Sequence, residues 1–133
     1  MDFERVHGWL ASSYWTPGID REMVEKAARN SSLVVGAFLD GEQVGFLRVI
    51  SDKTSFAWVA DVFVDESARG LGAAKRMMRY AQSHPEHQGF RRWVLATRDA
   101  QGLYETCGFK LIPNPQNWMI YFPTDQHPTS RDW

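Results

Sequence analysis

Between Phe56 and Ala81 the spacing of apolar residues changes once, and a turn holding two glycines makes the change. Phe56 to Val64 has the composition of a strand, interrupted only by Asp61. Further on, Ala74, Met77, Met78 and Ala81 fall at i, i+3, i+4 and i+7, which predicts a helix ending before Pro85. The link is Asp65-Glu66-Ser67-Ala68-Arg69-Gly70-Leu71-Gly72. The first N–H groups of such a helix have no internal partner, and its dipole adds partial positive charge there, so a pyrophosphate is a natural ligand. Gly70 and Gly72 remove side chains that would hold phosphate away, and Arg69 adds a fixed charge at the rim. Taken alone, a glycine pair opening a helix is commonly a packing or turn device. Gly70-Leu71-Gly72 lacks the third glycine of a dinucleotide fingerprint, and no Gly-Lys-Ser/Thr follows to make a P-loop.

The remaining chain supplies elements around this turn. Asp2 is placed to cap a helix carrying Phe3, Val6, Trp9 and Leu10 to about Ser13, and Asp20 to cap a second that buries Met23, Val24 and Ala27 and ends near Asn30. Leu33 to Leu39, the hairpin signal Asp40-Gly41, Gln43 to Ile50 and Phe56 to Val64 predict an antiparallel meander of three strands. Trp93 to Thr97 predicts another strand. A short helix with the stripe Ala100, Leu103, Tyr104 and Cys107 follows, closed by Gly108 with Phe109 packing back on Tyr104. Short strands are expected near Leu111 and from Met119 to Phe122. The expected organisation is one domain over 1–122 and a loose tail over 123–133.

A chain of 133 residues is the size of one ordinary domain. Fifteen basic and sixteen acidic residues give a net charge of −1, which disfavours nucleic acid or an anionic membrane as partner, so any phosphate site is local. One cysteine, Cys107, cannot form an internal disulfide, and no cluster supplies metal ligands, so a reducing cytoplasm fits best. No apolar run is long enough to span a membrane, and the N-terminus lacks a signal pattern. Cys107 reads as a packed small side chain, and His84 and His87, flanking Pro85, as exposed polar residues.

Arg69-Gly70-Leu71-Gly72-Ala73-Ala74 resembles the Arg/Gln-x-x-Gly-x-Gly/Ala motif of the GNAT superfamily of N-acetyltransferases, whose backbone holds the coenzyme A pyrophosphate. Ala100, Leu103, Tyr104, Glu105, Gly108 and Phe109 resemble a later family motif, and the order of elements agrees from Leu33 to Phe122. The resemblance implies an α/β (α+β) fold with a mixed, mainly antiparallel sheet flanked by helices. It implies acetyl-CoA as co-substrate, no metal, and acetyl transfer to a primary amine of a small molecule or peptide, by a monomer or homodimer. A catalytically silent acyl-CoA-binding sensor of the same fold is the alternative. Implied cofactor contacts are the backbone of Val62, Phe63 and Val64, the run Arg69 to Ala74, and Asp99, which stands where the family often has asparagine. The family's first strand is absent or truncated here, Glu66 replaces a common proline and Ala68 a frequent aromatic.

Acetyl transfer needs a neutral amine and a stabilised thiolate. An amine of pKa about 10.4 carries a deprotonation cost of about 4.6 kcal/mol at pH 7, and an α-amine of pKa about 8 only about 1.4 kcal/mol. Asp61, a carboxylate in an apolar strand, is the candidate base, directly or through water; pairing with an arginine or capping a loop is an equal reading. Periodicity alone places Tyr104 in the core, whereas the resemblance assigns it as the acid at the departing sulfur. The acceptor pocket is expected from the first helix, the Tyr14-Trp15-Thr16-Pro17-Gly18 loop and the facing strands, with Trp15, Trp58 and Trp118 as its candidate wall.

Overall fold

The computed structural model describes residues 1–123, so the tail expected over 123–133 lies almost wholly outside the described residues. Two helices come first, α1 (Phe3–Ala11) and α2 (Arg21–Arg29). The Asp2 carboxylate accepts from the Arg5 amide and so caps α1, whereas Asp20 makes no side-chain cap on α2. The meander follows as β1 (Leu33–Leu39), β2 (Glu42–Ser51) and β3 (Phe56–Val64), all antiparallel. Helix α3 (Ala73–Ser83) returns the chain to β4 (Arg92–Val94), which pairs with β3 in parallel, and α4 (Gln101–Glu105) closes the regular structure. The sheet order is β1-β2-β3-β4. No strand precedes α1 among the described residues, and β1 is an edge.

Helices cover both faces of the sheet. On one, Met77 and Ala81 of α3 pack against Val35, Leu47, Val49 and Ala57. Gly45 lets α3 approach: a Cβ there would stand 2.9 Å from the end of Met77. On the other face, Val6, Trp9 and Leu10 of α1 and Val24 of α2 close over Phe46. A third cluster joins Met78 to Val59 and Tyr104, where Phe109 meets the Tyr104 ring edge-on at 6.1 Å.

Four expectations are corrected. β4 stops at Val94 instead of Thr97, because from Leu95 the chain diverges from β3. No strand forms near Leu111 or from Met119 to Phe122: among the described residues neither segment pairs with the sheet, which ends at β4. Met23 is 39% exposed; α2 turns Val24 and Ala28 inward instead. His87 is buried, not exposed: the 3-10 turn Pro85–His87 folds its ring between Phe90 and Trp93.

Candidate active site

The geometry of the site begins with one irregular residue. Along β3, Ala57 and Val59 face α3, so strict alternation would aim Asp61 into the same apolar layer. The register against β2 slips by one residue between Ala60 and Phe63, and Asp61 takes a φ of 57°. This bulge reverses the phase. Val62 and Val64 return to the α3 face, Phe63 joins the α1 side, and the Asp61 carboxylate escapes the core. It accepts from Arg48 Nε at 2.6 Å and from the Trp15 indole at 2.9 Å. The Asp61 and Arg48 side chains are only 10% and 18% exposed, so each needs the other: an unpaired charge there would be costly.

Divergence of β3 from the chain after β4 opens a cleft of about 230 Å³. That is smaller than the roughly 300–1,000 Å³ of drug-sized sites, enough for a reacting end and not a whole ligand. Asp61, Trp15, Trp58, Tyr104 and Asp99 all line it. Trp118 does not: it lines a separate groove that shares Trp58 and Tyr104 with the cleft. Beyond Trp58 and Val94 the facing edge of β3 has no strand partner, so its main-chain groups are available to an extended ligand. Burial pushes the Tyr104 phenol up to about 12, with smaller contributions from Tyr14, Cys107 and Asp99, so the hydroxyl stays protonated at any physiological pH.

The glycine turn lies at the end of β3. A 3-10 turn, Glu66–Ala68, leads to Gly70 and Gly72, with φ of 84° and 79°, and Gly72 caps α3 without a side-chain bond. A Cβ on either glycine would meet nothing within 4 Å, so the concavity above them is open. The amides of residues 70–75 donate to no other group of the described residues outside α3. An anion fits that row of donors. Arg69 stays at the rim, its Nε donating to the Val64 carbonyl at 3.3 Å. Asp65 anchors the approach: it accepts from Trp9 Nε1 at 3.0 Å and from both the amide and the hydroxyl of Ser67. The Ser67 hydroxyl and the Trp9 indole hold its carboxyl below the usual range.

Two site residues escape the sequence reading. Arg48 was detectable, as a lone cation in the apolar run of β2 whose neighbour across the register is Ala60, next to Asp61. Arg98 was not, and Tyr14, in the loop expected to form the acceptor pocket, meets it there. Tyr14 accepts from the Arg98 amide at 2.9 Å while the guanidinium lies 3.9 Å over its ring, a contact spanning 84 residues. Among the described residues no group of three or more His, Cys, Asp or Glu side chains is gathered for a metal, and no helix is long and apolar enough to cross a membrane.

Similarity to known proteins bears on this arrangement. Residues 3–109 match the family model for acetyltransferases of the GNAT family. The chain is 41% identical to a Xanthomonas campestris pv. campestris protein assigned to the GNAT family, with a TM-score of 0.87 over 92% of this chain and 86% of that one. A GNAT family acetyltransferase from Streptococcus pneumoniae superposes with a TM-score of 0.73 at 24% identity, over 92% of this chain and 91% of that one. An aminoglycoside 6'-N-acetyltransferase complexed with coenzyme A gives 0.60 at 21% identity, over 71% and 54%. These last two likenesses show the fold alone. No curated protein matches the sequence. The match over residues 3–109 and the 41% identical relative place this chain in the GNAT family of acetyltransferases.

Proposed function

We propose that the protein transfers an acetyl group from acetyl-CoA to a primary amine of a small molecule or peptide. The observation that carries this reading is the continuity of the open amides at residues 70–75 with the unpaired edge of β3 and with the cleft holding Tyr104 and Asp61. The amides of Gly70, Leu71, Gly72, Ala73 and Ala74, with Arg69 at the rim, hold the pyrophosphate. Backbone groups of Val62, Phe63 and Val64 take the pantetheine arm, and Asp99 stands beside the cleft as its side-chain acceptor. Acetyl-CoA supplies a thioester carbonyl for the amine to attack and a sulfur that leaves as thiolate.

Tyr104 donates a hydrogen bond to that sulfur. Giving up its proton outright, from a group at about 12 to a thiolate near 8.5, would be uphill by about 5 kcal/mol, so the phenol stabilises charge without ionising. Asp61 accepts the proton of the incoming ammonium, directly or through water. Each of its oxygens keeps a lone pair beyond those used by Arg48 and Trp15. Trp15 and Trp58 wall the acceptor side, and Trp118 joins them only from the neighbouring groove.

The test is a panel of amines and peptides assayed for thiol release from acetyl-CoA. Turnover is expected with at least one acceptor. Tyr104→Phe should lower kcat by about 100-fold or more and leave coenzyme A affinity unchanged. Tight coenzyme A binding with no turnover on any acceptor would establish the silent sensor instead.

A further inference from the structure

Two arginines line the cleft, and they differ in what holds them. Arg48 donates to Asp61 and to the Ser31 hydroxyl, so its charge is matched within the wall. Arg98 is exposed, and among the described residues its guanidinium meets no carboxylate and donates to no acceptor. It is nevertheless no loose surface cation. The guanidinium lies 3.9 Å over the Tyr14 ring, and the Arg98 amide donates to the Tyr14 hydroxyl at 2.9 Å. Gln101 braces the same turn by donating to the Thr97 and Arg98 carbonyls at 3.1 and 3.4 Å, and the Ala100 amide donates to the Thr97 hydroxyl. A cation whose backbone and plane are both held loses little freedom on binding, and its planar fork matches a carboxylate or a phosphate.

A row of contacts along one wall joins Arg98 to Asp61. The Trp15 indole donates to Asp61 at 2.9 Å, the Tyr14 ring meets Trp15 edge-on at 5.0 Å, and Arg98 lies over Tyr14. Two ring widths, roughly 8–12 Å, therefore separate the carboxylate from the unmatched cation. The cleft of about 230 Å³ holds only the reacting end of an acceptor, so the remainder extends toward the exposed Arg98. We infer that the acceptor carries an oxyanion, a carboxylate or a phosphate, roughly 8–12 Å from its amine, and that Arg98 binds it. Arg98 then determines specificity and Tyr14 positions it. A chain of about three peptide residues, or a linear molecule of similar length, spans that gap. The inference rests on the proposed acetyl transfer for where the amine sits, and on the Arg98 geometry for the anion.

Acceptors matched in all but charge test this: 8-aminooctanoate against its amide, triglycine against triglycinamide, and 6-aminohexyl phosphate against 6-aminohexanol. Binding is read by calorimetry of the full chain with coenzyme A present, and transfer by thiol release from acetyl-CoA. At least one anionic member should bind about 10-fold or more tighter than its neutral partner, and the pair that shows this identifies the source of the oxyanion. Arg98→Gln, with an unchanged circular dichroism spectrum, should abolish the preference by raising KM while kcat changes little, and Arg98→Lys should restore part of it. A charge preference in binding without thiol release would uphold the acceptor class and remove the proposed transfer. Neutral partners that bind as tightly, no binding by any anionic member, or a preference that survives Arg98→Gln would each overturn the inference.

Discussion

Gly72→Ala separates the proposed role of the turn in binding from its role in folding. Gly72 stands at φ 79° and ψ 18°, and an added Cβ meets no atom within 4 Å. The substitution therefore costs only the left-handed backbone, about 1–2 kcal/mol. For a domain of this size that lowers Tm by roughly 3–10 °C. Gly89 is a matched control: its φ is 78°, its Cβ space is equally open, and it precedes β4 at the opposite end of the sheet from the turn. Gly89→Ala should cost the same stability. Only in Gly72→Ala does the new methyl occupy the space through which, on the proposed reading, a phosphate would reach the open amides. Losing one hydrogen bond to a charged group is worth about 1.5–3 kcal/mol, which weakens coenzyme A by roughly 10- to 150-fold. Calorimetric titration of both variants with coenzyme A, beside thermal melts, gives the comparison. Equal dissociation constants for the two would show that the turn does not hold the pyrophosphate.

Asp61→Asn leaves the largely buried Arg48 without its carboxylate and should cost about 2–4 kcal/mol in denaturant unfolding. If Asp61 takes the proton, the same variant loses more turnover with an acceptor of pKa about 10 than with one of pKa about 8; equal losses would assign it to structure alone. For His87, burial and then His84 press the imidazole below its usual 6.5, so the unfolded chain binds the proton more readily. Stability is thus fully present above pH 6.5 and falls as the pH drops below it, and thermal melts from pH 7.5 to 5 should show a slope that His87→Leu removes. Asp52, Asp65 and Glu86 are all held below the usual carboxylate range, and they contribute a separate loss only at lower pH.

The meander, the glycine turn and α3 were legible because local chemistry decides each of them. Asp40 and Gly41 both take positive φ in the hairpin, as a tight two-residue turn demands, and the α3 stripe buries Met77, Met78 and Ala81 as its spacing requires. His87 was misread because nothing local announces its burial. Its ring is enclosed by Phe90 and Trp93 from later in the chain and by Ser32 from 55 residues earlier. The Ser32 hydroxyl donates to the Val49 carbonyl, so Nε2 donates to Ser32 and Nδ1 is left buried without a partner. That bare nitrogen would have to take up the proton, with no acceptor for the new N–H, which is why the ring resists charging.

Asp61 shows where one-dimensional reading reaches its limit. The sequence displays a carboxylate in an apolar strand and an arginine in the neighbouring one, and two equal readings follow, base or ion pair. Alternation, the only geometric rule available from the strand, puts Asp61 on the face it shares with Ala57 and Val59, where neither role is possible. One extra residue at the bulge rotates the carboxylate to the face of Arg48 and Trp15 and also turns Val62 back into the core. Nothing in Ala60-Asp61-Val62 marks a bulge, since the positive φ falls on an aspartate and not on a glycine. The cost of burying an unpaired carboxylate, several kcal/mol, outweighs the roughly 1–2 kcal/mol of a left-handed aspartate, so the strand yields. The same displacement sets Asp61 in the cleft with Tyr104, so the demands of packing and of the site are met by one distortion.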